Sequence, residues 1–427
     1  MGCRLNQADS ALMAADLIAH GHEVVPWGTP CDVAIINTCA VTGIASRKSR
    51  QAAGAIRRRV PGAAIVAVGC EASADGAEWV RDGLAELVVP NPKPTSISSL
   101  LDELPPPNSP SVLHESKPLQ DGFSIDCDCG NFLDHSRANI KIQEGCDFRC
   151  TYCIVPDTRG HACSRDFKDI LREAKGLLTA GYRELVITGV NIATYRNGGR
   201  ELPELLEDML ALGTDFRIRL GSTEAGGGVL PRLVSLMKRE PRICRFLHLP
   251  VQHGADSVLL RMGRHYSAAE FRDQVLQACR DIPGLCLGTD VIVGFPGEGD
   301  REFDECRQFL EEIPFGLMHV FVYSPRKGTP AAGWKDKASA HVAKMRSNEL
   351  LEMAARKAEM FARSQAGKTL QVLVEKVDNG TPYGWSDNYL KVFLPNCNQL
   401  MENDMVQAVV LGTRGGRELL GRLAQLP

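Results

Sequence analysis

Three cysteines stand close together in Gly145-Cys146-Asp147-Phe148-Arg149-Cys150-Thr151-Tyr152-Cys153. The spacing, C-x-x-x-C-x-x-C, puts three thiolates on one loop. Such a loop can hold three irons of a four-iron cubane, whose full ligand set would be four. The iron left open can then bind the amino and carboxylate groups of a substrate. A structural zinc knuckle is the competing use. Zinc wants a fourth Cys or His and tetrahedral closure, and His161 and Cys163 lie near enough in the chain to offer one.

A second set is dispersed. Gly2-Cys3 opens the chain, Asn37-Thr38-Cys39 follows a strand-like run, and Gly69-Cys70 follows the next. Cysteines placed where parallel strands end point toward one edge of the sheet, and a short strand before Cys3 would bring it there too. Three thiolates at that edge can bind a second cluster with its own open iron. The plainer use is as small buried hydrophobes. The chain has 15 cysteines in 427 residues, an odd count in a chain too long for a small disulfide scaffold. In a reducing compartment such cysteines more often bind metal or do catalysis than form bridges.

Loops of this kind need strands that end together. Asp32-Val33-Ala34-Ile35-Ile36-Asn37 and Ala63-Ala64-Ile65-Val66-Ala67-Val68 read as buried strands, with a helix over 44–59 between them. That alternation predicts a small parallel α/β layer. Pro105, Pro106, Pro107, Pro110 and Pro118 predict an extended linker. Beyond it, strand-like runs at 139–143, 184–188, 217–221, 245–249, 285–293 and 317–323 alternate with helical stretches such as 167–180 and 268–281. Six β/α units predict a partial TIM-like barrel with its site at the carboxyl ends of the strands. A helical stretch over 339–365 stops at Gly367. Short runs at 370–376, 389–394, 405–411 and 418–423 predict a small antiparallel β-barrel. The class is α/β, with an N-terminal domain over 1–104, a linker over 105–130, a barrel core over 131–366 and a terminal domain over 367–427.

Composition narrows the setting. Hydrophobic residues make up 44% and charged residues 24%, with a net charge of −3. This is an ordinary globular profile, and any basic surface for nucleic acid must be local. No apolar stretch approaches the ~20 residues of a membrane span. The first residues lack a signal-peptide pattern. A cytoplasmic protein with no membrane partner is the expectation.

The loop from Cys146 to Cys153, placed after the first barrel strand, resembles that of the radical S-adenosylmethionine (SAM) superfamily. Tyr152 matches the aromatic residue that the superfamily carries before its third cysteine. Gly2-Cys3-Arg4-Leu5-Asn6-Gln7, Asn37-Thr38-Cys39-Ala40-Val41-Thr42 and Val68-Gly69-Cys70 are similar to the three signature segments of the methylthiotransferase amino-terminal domain. His135-Ser136-Arg137, Ile142-Gln143-Glu144-Gly145-Cys146, Thr188-Gly189-Val190-Asn191 and Val293-Gly294-Phe295-Pro296-Gly297-Glu298 match the same family, and residues 367–427 look like its RNA-binding TRAM domain. The resemblance covers essentially the whole chain. It implies two 4Fe–4S clusters, one on Cys146, Cys150 and Cys153 and an auxiliary one on Cys3, Cys39 and Cys70. It also implies SAM beside Tyr152. Asn191 after the second strand, Ser222 and Glu224 after the third and Gln252 after the fourth could bind its amino, ribose and carboxylate groups, ordinary loop polarity being the plainer use. The implied reaction replaces a ring C–H of a tRNA adenosine by a methylthio group. A side-chain base cannot take so weakly acidic a hydrogen, whereas a carbon radical can.

Cys39-Ala40-Val41-Thr42 followed by Lys48-Ser49-Arg50-Gln51 most resembles the branch acting on N6-threonylcarbamoyladenosine. The rivals are sister enzymes for isopentenyladenosine tRNA or a ribosomal-protein aspartate, and a non-catalytic RNA-binding iron–sulfur sensor. The implied partners are tRNA, a reducing electron donor and a sulfur source. Arg47, Lys48, Arg50 and Arg57 lie on a helix without acidic residues and suit phosphate contact. Tyr389 of the terminal barrel can stack on a base. Some features depart from the family. Its members usually have a strand before the first Gly-Cys, so this chain implies a start upstream of Met1 or a lost strand. Gln252-His253-Gly254 and Glu224-Ala225-Gly226 replace Gln-Ser-Gly and Glu-Pro. Cys127, Cys129 and Cys163 are extra to the pattern.

Overall fold

The computed structural model describes residues 2–114, 119–125, 136–226, 228–378 and 380–424. Cys127 and Cys129 lie outside the described residues.

The N-terminal unit begins with helix α1 (Arg4–Ala19). Strands β1 (Val33–Thr38), β2 (Ala64–Gly69), β3 (Leu87–Pro90) and β4 (Val112–Leu113) then form one parallel sheet in that order. Helix α2 (Gly43–Arg59) crosses from β1 to β2, its first turn closed by Thr42 Oγ1 accepting from the Ala45 amide at 3.2 Å. Helix α3 (Cys70–Arg81) crosses from β2 to β3. β2 is Ala64-Ile65-Val66-Ala67-Val68-Gly69 and is buried along its length, the composition of a parallel strand covered on both faces. Two expectations change here. Among the described residues Cys3 follows no strand; it caps α1. The proline-rich stretch is more than a spacer, because Val112 and Leu113 pair with Leu87 and Val88.

The barrel strands appear where the alternation placed them, as β5 (Arg137–Lys141), β6 (Glu184–Thr188), β7 (Arg217–Leu220), β8 (Phe246–His248), β9 (Cys286–Val293) and β10 (Phe315–Val322). They form two parallel three-stranded sheets. Bridges from Ile218 to Ile243 and from Ser222 to His248 join them. Among the described residues β5 and β10 do not pair, so the barrel is open between them. The N-terminal unit covers that opening. From its side, Asp9 reaches Lys141 of β5 at 2.7 Å, and the Gly43 amide donates to Ser324 Oγ just past β10 at 3.0 Å. Among the described residues no helix is long and apolar enough to cross a membrane.

After the long helix Ala340–Arg363, strands β11 (Thr369–Asp378), β12 (Thr381–Ser386), β13 (Lys391–Phe393), β14 (Met405–Gly415) and β15 (Glu418–Leu423) close a small barrel. It has one strand more than the sequence pattern shows, because Thr381-Pro382-Tyr383-Gly384-Trp385-Ser386 hides a strand behind proline and glycine. It is not wholly antiparallel, since β13 runs parallel to β15.

A buried charge cluster docks this barrel on the core. Glu184, fully buried on β6, accepts from Arg217 and from Arg219, each at 2.6 Å. The two guanidinium groups then donate to backbone carbonyls of the small barrel. Arg217 reaches Gln371 and Trp385 at 2.9 and 2.8 Å, and Arg219 reaches Ser386 and Asp387 at 2.9 and 3.2 Å. Burial works against the Glu184 charge, but Arg219 and Arg217 hold its carboxyl well below the usual carboxylate range. A group so depressed contributes stability above its unfolded value near pH ~4 and loses it as the pH falls further. Glu184→Gln should therefore cost about 3–5 kcal/mol at neutral pH, since it leaves buried cations unpaired. The gap to the unchanged protein should narrow below pH ~4, which denaturant titration at several pH values will measure. A variant as stable as the parent at neutral pH would show that the cluster does not hold the barrel.

Candidate active site

Gly145 makes the Cys146 loop possible. Its φ is +66°, and a Cβ there would sit 1.9 Å from the His161 carbonyl oxygen. No other residue fits so close a crossing. The loop is then pinned by the Cys146 amide donating to the Gly160 carbonyl at 3.1 Å and the Thr151 amide donating to the Met262 carbonyl at 3.0 Å. The three cysteines line one cavity of about 290 Å³. Tyr152, Asn191, Ser222, Glu224 and Gln252 line it with them, so every strand-end residue expected around the cofactor gathers at this point. The Asn191 amide donates to Gln143 Oε1 at 2.8 Å, which fixes the turn after β6. Glu224 pairs with Arg264, whose Nη1 also points at Cys150 Sγ across 3.6 Å. Burial pushes the Glu224 carboxyl up, and Arg264 opposes that.

The dispersed cysteines also converge. Cys70 is the first residue of α3, preceded by Gly69 at φ +92°. A Cβ on Gly69 would lie 2.5 Å from Asn37 Oδ1 and 2.7 Å from the Thr38 carbonyl oxygen, so the turn out of β2 requires glycine. Cys39 follows β1, its amide donating to Ser49 Oγ at 3.2 Å. Cys3 caps α1. Two of the three thiols thus sit at helix N-termini, where the peptide dipoles favour anionic sulfur. All three line a second cavity of about 860 Å³. The two cavities share Val41, Thr42, Val155, Val190, Ser222, Asp290 and Phe321 as wall, so they adjoin.

The donor sets suit clusters better than single ions. None of these six cysteines is in a disulfide. Among the described residues one metal-type group has all its ligand atoms within 4.8 Å of one another, and it contains no cysteine: His248, Asp290 and His319. Neither thiol set closes to the span of one ion, whereas a cubane needs its thiolates spread over separate irons. The zinc alternative loses its fourth ligand as well. His161 turns outward to Asp147 at 2.9 Å, and among the described residues Cys163 joins no group of ligand atoms within 4.8 Å of one another. Burial also raises Cys39, Cys70 and Cys146 and pushes Cys153 up to about 12, so assembly must expel protons.

Three groups escaped the sequence pattern. His248 Nε2 and His319 Nδ1 lie 3.1 and 3.0 Å from Asp290 Oδ1 on the floor between the cavities. Their signal is a polar residue in each of three consecutive, mostly apolar strands, alone in two of them and beside Thr289 in the third. Arg264 closes the Glu224 side. Arg159 is the third: its Nε donates to Cys70 Sγ at 3.0 Å. The replacement residue His253 is plain core. Fully buried, it accepts the Ala255 amide on Nδ1 and turns Nε2 toward Glu298 at 3.3 Å.

The basic helix divides in two. Arg47 and Lys48 are exposed, and Lys48 lines the larger cavity. Arg50 is drawn back to Glu71, Glu78 and Asp82 at 3.2–3.3 Å, and Arg57 to Glu86 at 2.5 Å. These two face the N-terminal unit's own carboxylates, which the linear sequence keeps 21 to 32 residues away. Tyr389 is half-buried in the wall of the larger cavity, stacked on Trp385 at 4.9 Å, with its hydroxyl accepting from Arg4 at 2.8 Å.

Residues 140–310 match the model of the Radical SAM superfamily, and residues 1–89 match one described as uncharacterized protein family UPF0004. The chain is 33% identical over 407 residues to the threonylcarbamoyladenosine tRNA methylthiotransferase MtaB of Bacillus subtilis, covering 92% of this chain and 88% of that protein. It is 34% identical to the protein of the same name from Thermotoga maritima, covering 91% and 89%. A tRNA-2-methylthio-N(6)-dimethylallyladenosine synthase of Verminephrobacter eiseniae is 34% identical, covering 88% and 84%. Among solved structures the radical SAM methyltransferase TsrM of Kitasatospora setae aligns with a TM-score of 0.55 at 15% identity, covering 76% of this chain and 73% of that one. At that identity the likeness speaks for the fold.

Changing Cys146, Cys150 and Cys153 together to Ala should remove about half of the iron taken up on anaerobic reconstitution. Changing Cys3, Cys39 and Cys70 should remove the other half. Full iron after either change, or zinc bound in place of iron, would dismiss the assignment.

Proposed function

The chain belongs to the radical SAM tRNA methylthiotransferase family, and from that premise we propose that it transfers a methylthio group to carbon 2 of N6-threonylcarbamoyladenosine beside the anticodon of tRNA. The supporting observation is the pair of adjoining cavities, each lined by three cysteines, with Asp290 in their common wall. When bound, SAM and the two clusters supply the carbon radical and the sulfur that this substitution requires.

The chain's own residues hold and shield the reactants. On this reading Tyr152, Asn191, Ser222 and Gln252 position SAM, and the Arg264–Glu224 pair offers fixed polar atoms for its charged groups. The base enters the larger cavity, whose rim exposes Val41, Ile44 and Phe321. Such apolar edges exclude water from a site where a radical must survive. Lys48 and Arg47 meet phosphates at the mouth, and Tyr389 with Trp385 offers an aromatic face. The small terminal barrel acts as the family's RNA-binding TRAM domain. A reducing electron donor and a sulfur source complete the partners, and a tRNA substrate places the enzyme in the cytoplasm. Relatives with the dimethylallyladenosine name keep the isopentenyl substrate as the second reading.

Two measurements test this. Reconstituted protein with SAM, reductant and tRNA should add the methylthio mass to threonylcarbamoyladenosine in digested nucleosides. Addition only to isopentenyladenosine, or SAM cleavage with no altered nucleoside, would overturn it. Arg47→Ala and Lys48→Ala should each weaken tRNA binding at every sequence and lower the salt slope of log K by about 1. Arg50→Ala should instead lower stability with the slope kept.

A further inference from the structure

We propose that Arg159 is a positioning residue for the auxiliary cluster, holding Cys70 through an N–H···S bond and thereby setting that cluster's reduction potential. This rests on the reading that Cys3, Cys39 and Cys70 carry a cluster. The geometry is specific. Arg159 Nε donates to Cys70 Sγ at 3.0 Å, and both side chains are buried.

The guanidinium cannot turn away. Its Nη1 donates to both carboxylate oxygens of Glu144, at 2.8 and 3.0 Å, and to Asp9 Oδ2 at 3.1 Å. Its Nη2 donates to Asp9 at 3.2 Å. Lys141 pairs with the same two carboxylates, so the quartet holds two cations and two anions. The quartet's charges balance. Cys70 meets the Arg159 corner of the quartet, so both the cation and its directed N–H act on the sulfur.

Hydrogen bonds to ligand sulfurs stabilise the electron-rich reduced cluster and raise its potential. The other thiol set has a weaker counterpart, Arg264 facing Cys150 across 3.6 Å. Arg159 also ends the segment that begins at Cys146. One short stretch of chain thus supplies the thiols of one site and the sulfur contact of the other.

The test uses full-length protein with Cys146, Cys150 and Cys153 changed to Ala, so that only the auxiliary cluster remains. Iron is counted, and the midpoint potential is read by redox titration followed by electron paramagnetic resonance. Arg159→Lys keeps a cation between Asp9 and Glu144 but lacks the Nε donor, so it should hold full iron at a more negative midpoint. Arg159→Gln should shift it the same way. An unchanged midpoint in Arg159→Lys with full iron overturns the inference. Should Arg159→Gln fail to fold, protein labelled with ¹⁵N-arginine decides. Pulsed resonance of the reduced cluster should show ¹⁵N coupling with Arg159 in place and none in Arg159→Lys. Absence of coupling in the parent overturns the inference. Absence of iron from the parent overturns the cluster reading itself, a result distinct from an unshifted potential.

Discussion

The two thiol sets belong to different parts of the fold, and one buried quartet keeps them facing each other. Asp9 comes from α1, Lys141 from β5, Glu144 from the short strand Gln143–Glu144 after it, and Arg159 from the short helix Val155–Arg159. All four are buried. Removing such charges from water costs several kcal/mol per ion, which the pairing must offset through geometry. A hydrophobic contact would bind the two units as well but would tolerate sliding. Reciprocal, short pairing in which each cation meets both carboxylates tolerates little. The second fastening, Arg326 to Ser46 Oγ at 2.9 Å, lies at the opposite edge of the barrel opening. Contacts beside β5 and just past β10 thus hold the N-terminal unit at both edges of the barrel opening.

Within that frame the local backbone aims the sulfurs. Gly69 and Gly145 each precede a cysteine, and each has a positive φ with a backbone carbonyl where a Cβ would go. The chain leaves its strand, turns sharply, and presents the next side chain at the strand's carboxyl end. This is where parallel α/β folds collect their ligands. A β-branched residue at either glycine would be strained whatever space was opened around it. The glycines and cysteines are thus one device, in which the first permits the turn and the second uses it.

Much of this was legible in the sequence. The pattern places all six barrel strands within a few residues, because most are short apolar runs bounded by polar loops, while Arg137–Lys141 and Arg217–Leu220 alternate apolar with polar residues. Cys146, Cys150 and Cys153 announce themselves by spacing. Cys39 and Cys70 are legible from the strands that precede them, whereas Cys3 arrives by capping α1 instead of ending a strand. Long-range pairing was not legible. Arg50 and Arg57 look like free cations because their carboxylates lie across the domain. Arg159 looks like any loop arginine, yet its partners stand 15 to 150 residues away. The strand through Pro382 and Gly384 escapes propensity because neighbouring strands supply the pairing that its own residues do not favour.

The terminal barrel shows why position matters more than charge. Its formal charges balance, six Lys or Arg against six Asp or Glu over 367–427, yet its lip forms part of the larger cavity through Trp385, Tyr389 and Arg417. Tyr389 is caught among the guanidinium groups of Arg4, Arg219 and Arg417. Arg4 comes from α1 and Arg219 from β7, so one aromatic ring touches the N-terminal unit, the core and its own barrel. A domain bound to RNA alone could sit on a flexible tether. This one is fixed by Glu184 and its arginines, and its aromatic lip stands opposite the cysteines of α1 and α3. Docked in this way, the barrel supplies part of the wall of the larger cavity, which Lys48 also lines.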